Sequence, residues 1–139
     1  MNQENCAFCK IVNGEIKSYV VYEDKDIIAF LDINPASEGH ALIATKKHYE
    51  NIYDIPEGEL KKIIAVAKKL ALDYREKLGV KEVNLMHASG INAQQSVPHF
   101  HIHLVPRKEN DGLNLWYKTD NKSKSNFEEL LNKIKGVKK

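Results

Sequence analysis

The chain has 139 residues, of which 42% are hydrophobic and 29% charged, with a formal net charge of +2. This length predicts a single domain, residues 1–139, that can bury a core of its own without disulfide bonds. The small charge does not indicate a nucleic acid or an anionic membrane as partner. No apolar run has the length of a signal peptide or a membrane span, so we expect a cytoplasmic protein with reduced cysteines.

The first half of the chain predicts three strands and then one long helix. The segments VVYE (20–23) and IIAFL (27–31) indicate a strand pair, and HALIAT (40–45) indicates a third strand. Pro56 is expected to begin a helix that Gly79 ends, because apolar residues recur there every three or four positions. These apolar positions are Leu60, Ile63, Ile64, Ala67, Leu70, Ala71, Tyr74 and Leu78.

The second half predicts two more strands and a short closing helix. VNLMH (83–87) and HFHIHLV (99–105) have the composition of strands. Ser125 and Glu128 have the spacing of a capping box before the helix FEELLNKI. Strands, one long helix and further strands together predict an α+β fold with an antiparallel sheet.

Three histidines alternate with apolar residues in the last predicted strand. Because strand side chains alternate between faces, His99, His101 and His103 are expected on one face, and the apolar residues between them on the face toward the helix. A polar strand face that happens to carry histidine is the alternative, but histidine has no special preference for strands. Since imidazole can act as nucleophile, acid, base or metal ligand near neutral pH, the row indicates a functional site.

A second motif is the C-x-x-C pair of Cys6 and Cys9, which has the spacing of half a tetrahedral zinc site. Alone the motif is weak, and two ordinary reduced cysteines are the alternative. A redox pair should follow a strand, which this one does not. The other two ligands of a zinc site would come from His40, His48, His87 and one of the three alternating histidines.

Taken together, these motifs resemble the histidine triad (HIT) family of nucleotide-binding proteins. The resemblance is carried by CAFCKIVNGEI, VYEDKDIIAFLDINPASEGHALIATKKH and QQSVPHFHIHLVPR, which have the order and spacing of the family. It implies a HIT-like α+β fold in which a five-stranded antiparallel sheet, with one long helix and a short C-terminal helix, continues across a homodimer. The single HIT domain would have an N-terminal zinc knuckle, 1–14, and a variable C-terminal segment, 108–139.

The resemblance also implies a reaction, in which a hydrolase or transferase cleaves a nucleotide phosphoramidate or dinucleoside polyphosphate at the α-phosphate. His101 would be the nucleophile, with its proton held on the other ring nitrogen by a backbone carbonyl, and water would hydrolyse the nucleotidyl-histidine intermediate. His103 would bind a phosphate oxygen, His40 would orient the triad, and Ser96 would help to hold the phosphate and the leaving group. No catalytic metal is implied.

A binding site for a purine nucleotide is implied as well. Apolar side chains would pack on the base, and Asp32 would accept the ribose hydroxyl groups; core packing for the two phenylalanines and a turn for Asp32 are the alternatives. The implied nucleotide-binding residues are Phe8, Phe30, Asp32, Ile33, Gln95, Ser96, His101 and His103.

One branch of the family binds a structural zinc ion with two N-terminal cysteines, a histidine of the KKH segment and the first triad histidine. Those residues are Cys6, Cys9, His48 and His99 here. Such a Cys₂His₂ site is closed, with no open position for water. The resemblance thus implies that zinc pins the N-terminal segment to the triad strand.

Two departures from the family pattern lie in the loop before the triad. Ala88 stands where members often have asparagine, and Gln94 where they often have glycine, so Asn92, Gln94 or Gln95 could hold the phosphates instead. These departures keep open a nucleotide-binding module with little turnover. A third interpretation, a metallohydrolase with zinc among the triad histidines, is disfavoured because the two thiols offer a structural site.

Overall fold

The structure is a computed structural model that describes residues 3–124 and 126–136. Within these residues five strands and three α-helices occur. In chain order they are α1 (Ala7–Val12), β1 (Val20–Glu23), β2 (Ile27–Leu31), β3 (Ala41–Thr45), α2 (Glu57–Leu78), β4 (Glu82–Met86), β5 (His101–Arg107) and α3 (Phe127–Lys135). No helix in this part of the chain is long and apolar enough to cross a membrane.

The five strands form one antiparallel sheet in the order β1-β2-β3-β5-β4. The predicted α+β fold with a five-stranded antiparallel sheet is therefore confirmed. The sheet is covered on both faces, by α2 on one and by the N-terminal α1 segment on the other. Since both faces are covered, β2 and β3 read as continuous apolar runs rather than as alternating patterns.

Helix α2 has the predicted bounds. Pro56 precedes its first residue with an extended backbone, and Gly79 ends it with a φ of 69°, where its N–H donates to the Tyr74 carbonyl. The predicted apolar stripe is only partly correct. Ile64 and Leu78 are 50% and 63% exposed, whereas Val66, which was not predicted, is buried. The buried face of the helix is therefore rotated relative to the predicted stripe.

The structure differs from the prediction at the start of the last strand and at the start of the closing helix. The last strand was expected to begin at His99, but β5 begins at His101. Ser125 of the predicted capping box lies outside the described residues, and the closing helix is preceded by Asn126, whose side chain makes no capping hydrogen bond. Strand β5 lies between β3 and the edge strand β4, so its histidines have a neighbouring strand on either side.

Candidate active site and metal centre

His101 and His103 lie in β5 on the face of the sheet opposite α2. Their partners in β3 are Ala44 and Leu42, which belong to the core on the α1 face. The alternating Phe100, Ile102 and Leu104 pack in the other core, with α2. The predicted division of the two faces is thus confirmed for the residues of the strand.

His99 lies before the start of β5, although the sequence predicted that the strand begins there. The ladder with β3 ends at the pair Ala44–His101, and the next N–H, that of Phe100, donates to the Tyr49 carbonyl at 2.7 Å. His99 lies in a turn in which its own N–H donates to the Val97 carbonyl at 2.8 Å. Its fully buried side chain meets the N-terminal cysteines, as predicted, and these belong to the core on the same face as His101 and His103.

The side chain of His101 is held in one tautomer. Its Nδ1 lies 2.7 Å from the His99 carbonyl oxygen, and because a carbonyl can only accept, Nδ1 carries the proton. The lone pair is therefore on Nε2. Burial lowers the pKa of His101 to about 4, so the ring is neutral near pH 7. Phe8 packs edge-on against the ring, with 5.0 Å between the ring centroids.

His40 and His103 form a directed chain of hydrogen bonds. The Ala36 N–H donates to His40 Nδ1 at 2.9 Å, so the neutral His40 ring carries its proton on Nε2. That N–H donates to His103 Nδ1 at 2.9 Å. His103 must then carry its own proton on Nε2, as a donor. Burial is the largest cause that lowers the pKa of both histidines, although Asp32, 3.7 Å from His40 Nε2, opposes the shift.

The four predicted zinc ligands come together. The candidate ligand atoms of Cys6, Cys9, His48 and His99 all lie within 4.8 Å of one another. His99 Nδ1 is 3.3 Å from Cys6 Sγ and 3.5 Å from Cys9 Sγ, and His48 Nδ1 is 3.3 Å from Cys9 Sγ. Cys6 precedes α1, and the Cys9 N–H donates to its sulfur.

Both the tautomer of His99 and the state of the thiols fit a zinc ion. His99 Nε2 donates to the Thr45 carbonyl at 2.7 Å, so the Nδ1 lone pair is free to bind metal. In the protein alone, burial first and then Cys6 raise the pKa of the Cys9 thiol to about 12. A bound divalent cation would displace this proton, which makes the pair a better metal ligand than a free nucleophile.

A second group of possible ligands, Asp32, His40 and His103, also has its atoms within 4.8 Å. The hydrogen bonds do not suit a metal there. His40 Nε2 carries a proton because its Nδ1 accepts the Ala36 N–H, and this proton is directed at His103 Nδ1. Neither nitrogen has a free lone pair toward the group. This arrangement supports hydrogen bonding to an anion rather than the metallohydrolase interpretation.

The residues predicted to bind the nucleoside have different surroundings. Phe8 and Phe30 are buried and pack against each other, with 5.2 Å between centroids, so both contribute to the core, and Phe8 also lies against the His101 ring. Asp32 accepts the Asn34 N–H at 2.8 Å in a turn and also lies near His40. Ile33, next to it, is 78% exposed. A role for these four residues in nucleotide binding stays a prediction.

Gln95 shapes the loop before the triad. Its Oε1 accepts the Gly90 N–H at 2.8 Å, and its Nε2 donates to the carbonyls of Glu50 and Val97. The side-chain amide is therefore engaged within the protein. Ser96 follows it and is exposed. Their predicted contacts with a nucleotide also stay predictions.

The sequence did not reveal several groups that orient the site. Backbone groups of Ala36, Thr45 and Tyr49 fix the rings of His40 and His99 and the start of β5. Such contacts leave no trace in residue identity. His87, considered only as a metal ligand, lies against His101 instead, with its Nδ1 2.8 Å from the His101 carbonyl.

Known proteins share this arrangement of sequence and fold. A family model described as the HIT domain matches residues 13–110, well over half of the chain. An uncharacterised HIT-like protein of Methanocaldococcus jannaschii is 44% identical over 131 residues, which are 94% of this chain and 99% of the relative. The adenosine 5′-monophosphoramidase of Saccharomyces cerevisiae is 39% identical over 136 residues, covering 94% of this chain and 84% of the enzyme.

Solved structures agree with the sequence matches. A crystal structure of a HIT family protein from Bacillus anthracis has a TM-score of 0.85 at 36% identity, covering 96% of this chain and 95% of that one. A zinc-bound histidine triad family protein from Mycobacterium smegmatis has a TM-score of 0.78 at 30% identity, covering 99% and 100%. With the family model and relatives well above 30% identity in agreement, this chain belongs to the HIT family.

Proposed function

We propose that this protein is a nucleotide hydrolase that cleaves purine nucleoside phosphoramidates at the α-phosphate through a nucleotidyl-histidine intermediate. The observation that carries the proposal is the state of His101. The ring is buried and neutral, its Nδ1–H is bound to the His99 carbonyl, and its Nε2 lone pair is free. A neutral imidazole held in this way is prepared for attack on phosphorus.

The reaction would proceed in two displacements. His101 Nε2 forms a bond to the α-phosphorus while the bond from phosphorus to the leaving amine breaks, and the amine leaves with a proton from the solvent or from the site. The Nδ1–H remains hydrogen-bonded to the His99 carbonyl, and this hydrogen bond stabilises the charged intermediate. Water then attacks phosphorus, the P–N bond to His101 breaks, and a nucleoside monophosphate is released with His101 restored.

His103 supplies a hydrogen bond to the reacting phosphate in this scheme. Its Nε2–H is free to donate because its Nδ1 is occupied by His40. A donor fixed in advance stabilises the charge that develops on the phosphate oxygens without reorganising during the reaction. The chain from the Ala36 backbone through His40 thus sets which nitrogen of His103 meets the substrate.

A phosphoramidate is favoured as substrate by the yeast relative, which is an adenosine 5′-monophosphoramidase. The test is a panel of adenosine and guanosine phosphoramidates and dinucleoside polyphosphates in ¹⁸O-water. We expect release of nucleoside monophosphate with ¹⁸O on the α-phosphate, fastest from a phosphoramidate. Samples denatured in base, in which a phosphorus–nitrogen bond to histidine survives, would contradict the mechanism if mass spectrometry found a nucleotidyl group on no peptide that contains His101.

A binding module with little turnover is the second candidate. Gln94 has a φ of 70°, a backbone conformation that favours glycine, at the position where the phosphate loop departs from the family pattern. An altered loop could bind nucleotides without releasing products efficiently. In that case a burst of labelled His101 would form without steady turnover.

We also propose that Cys6, Cys9, His48 and His99 hold a structural zinc ion, and that the protein is a homodimer. The burial of the ligands and the free lone pair on His99 Nδ1 support the first. The strand β4 at one edge of the sheet, with partly exposed Leu85 and Met86, supports the second. Zinc in this position would supply an anchor and no reaction chemistry.

A further inference from the structure

His87 lies at the point where β4 stops pairing with β5. The last ladder pair is Met86 with His103. Beyond it, the carbonyl of His101 accepts a hydrogen bond from a side chain, because His87 Nδ1 lies 2.8 Å away. The acceptor is a carbonyl, so Nδ1 must carry the proton. His87 thus supplies the donor that a longer strand would have supplied from its backbone.

The imidazole of His87 is itself held on three sides. Its ring stacks on Phe100, with 4.3 Å between centroids and 26° between planes. Its Nε2 lies 2.5 Å from Ser89 Oγ, which accepts the Ile52 N–H at 2.9 Å. The hydroxyl proton of Ser89 is therefore free to donate to Nε2. Every donor has an acceptor when His87 is neutral and protonated on Nδ1.

From this arrangement we propose that His87 is a positioning residue for His101, fixing the main chain of the nucleophile while the His99 carbonyl fixes its ring. This inference rests on the proposed function, in which His101 attacks the α-phosphorus. His87 touches neither the candidate zinc ligands nor the Nε2 of His101; its contact is with the backbone. The exposed side chain nevertheless uses both ring nitrogens.

The contact matters because nucleophilic attack depends on direction. Two hydrogen bonds set the direction of the His101 side chain. One joins its ring to the His99 carbonyl, and the other joins its main-chain carbonyl to His87. Without the hydrogen bond to His87, the main chain of Phe100 and His101 would be held on one side only, by the Tyr49 carbonyl and by β3. A misplacement of about 1 Å in such a site can lower the rate about 100-fold.

Two amide substitutions separate the two nitrogens of His87. In His87→Asn the side-chain NH₂ takes about the place of Nδ1 and can still donate to the His101 carbonyl. In His87→Gln the NH₂ takes about the place of Nε2, which reaches Ser89 but not the carbonyl. We expect kcat for a nucleoside phosphoramidate to fall at least tenfold in His87→Gln and His87→Ala, with KM within about twofold, and to stay within about threefold in His87→Asn.

Melting temperatures of the three variants serve as the control for a general loss of stability. A purely structural role would rank activity by stability. Equal kcat in His87→Asn and His87→Gln, or a loss in KM rather than kcat, would overturn the proposal.

A second readout does not need activity. In ¹⁵N-histidine-labelled protein, NMR should show that Nδ1 of His87 carries a proton. The His101 ring signals should move in His87→Gln and stay close to wild type in His87→Asn. If wild type hydrolyses no nucleotide, the proposed function fails while these spectra still decide the positioning. An Nε2–H tautomer of His87, or unchanged His101 signals in His87→Gln, would refute it.

Discussion

At the scale of single residues, the site depends on where each imidazole carries its proton. His99 and His103 carry the proton on Nε2, and His101 carries it on Nδ1; the Thr45 carbonyl, His40 and the His99 carbonyl set these positions in turn. In our proposal, three chemically identical rings thereby acquire a lone pair for the metal, a lone pair for the substrate and a donor for the substrate. The identity of a residue alone could not predict this, because the deciding partners are mostly backbone carbonyls and N–H groups.

Replacing His101, the proposed nucleophile, should separate binding from reaction. His101→Asn keeps a polar side chain of smaller size but removes the Nε2 lone pair. We expect phosphoramidate turnover to fall at least about 1,000-fold, while the affinity for AMP changes by less than about fivefold. Steady-state kinetics and calorimetric titration measure the two quantities. Turnover above a tenth of the wild-type rate would remove His101 from the role of nucleophile.

The low pKa of His101 makes both activity and stability depend on pH. Burial lowers this pKa from 6.5 to about 4 in the folded protein. Between these values the unfolded chain binds more protons, so the free energy of unfolding falls as the pH decreases from about 6.5 to about 4, by on the order of 3 kcal/mol for complete protonation of one such group. Activity should be constant near neutral pH and decline only toward pH 4.

Urea unfolding at several pH values tests this dependence. The loss of stability between pH 7 and pH 4.5 should be smaller in His101→Asn than in wild type, because the variant lacks one group whose pKa differs between the two states. An identical slope in the two proteins, or an activity limb centred near 6.5, would show that His101 titrates as an exposed histidine does.

At the scale of elements, α1 connects the cysteines to the triad. The helix is only six residues long, and Phe8, which lies between Cys6 and Cys9 in the sequence, packs on both His99 and His101. A helix this short is not stable by itself in water. Its place on the sheet is therefore maintained by its buried side chains and, in our proposal, by zinc.

Loss of a cysteine should remove the metal and lower stability together. Purified protein is expected to carry about one zinc per chain, and Cys6→Ser should lose it. The melting temperature should fall by on the order of 10 °C, since structural zinc sites contribute several kcal/mol but this domain also has a core. Ala7→Ser, an exposed position between the cysteines, is the matched control. Elemental analysis and thermal unfolding measure both, and unchanged zinc content in Cys6→Ser would contradict the assignment.

The sequence predicted these elements well and their ends less well. Both bounds of α2 followed from Pro56 and Gly79, which act locally. The start of β5 did not follow from composition, because it depends on Tyr49 taking the Phe100 N–H from a distant turn. The prediction of the buried face of α2 was also partly wrong. The spacing of apolar residues predicts a stripe along the helix, but not the angle at which the helix packs on a twisted sheet.

At the scale of the whole molecule, both edges of the sheet expose apolar side chains. β1 and β4 are both edge strands, and each exposes apolar side chains, with Val21 41% and Leu85 44% exposed. Helix α2 also exposes Ile64 and Leu72. The family resemblance implied that the sheet continues across a homodimer at one of these edges. The fold of a single chain does not test this, so the dimer stays a prediction.

Substitutions on the two edges provide a matched comparison. We expect wild type to sediment at twice the chain mass of 15.9 kDa. Leu85→Lys on β4 should weaken the dimer at least about tenfold by placing a charge in the interface, whereas Val21→Lys on β1 should not. A monomer at high micromolar concentration in wild type would contradict the homodimer, and equal effects of both substitutions would contradict the choice of β4.

His99 belongs to two sites at once, because its ring faces the cysteines and its carbonyl holds the ring of His101. A residue shared in this way makes the two occupants thermodynamically dependent. Whatever factor a metal ion adds to the affinity for a nucleotide, the nucleotide must add to the affinity for the metal, since the order of binding cannot change the total free energy. We expect zinc to raise the affinity for AMP, because it fixes the segment whose carbonyl holds the His101 ring. At equilibrium a chelator should then remove less metal from protein saturated with AMP, and metal retention becomes a measure of how far the nucleotide pocket is occupied.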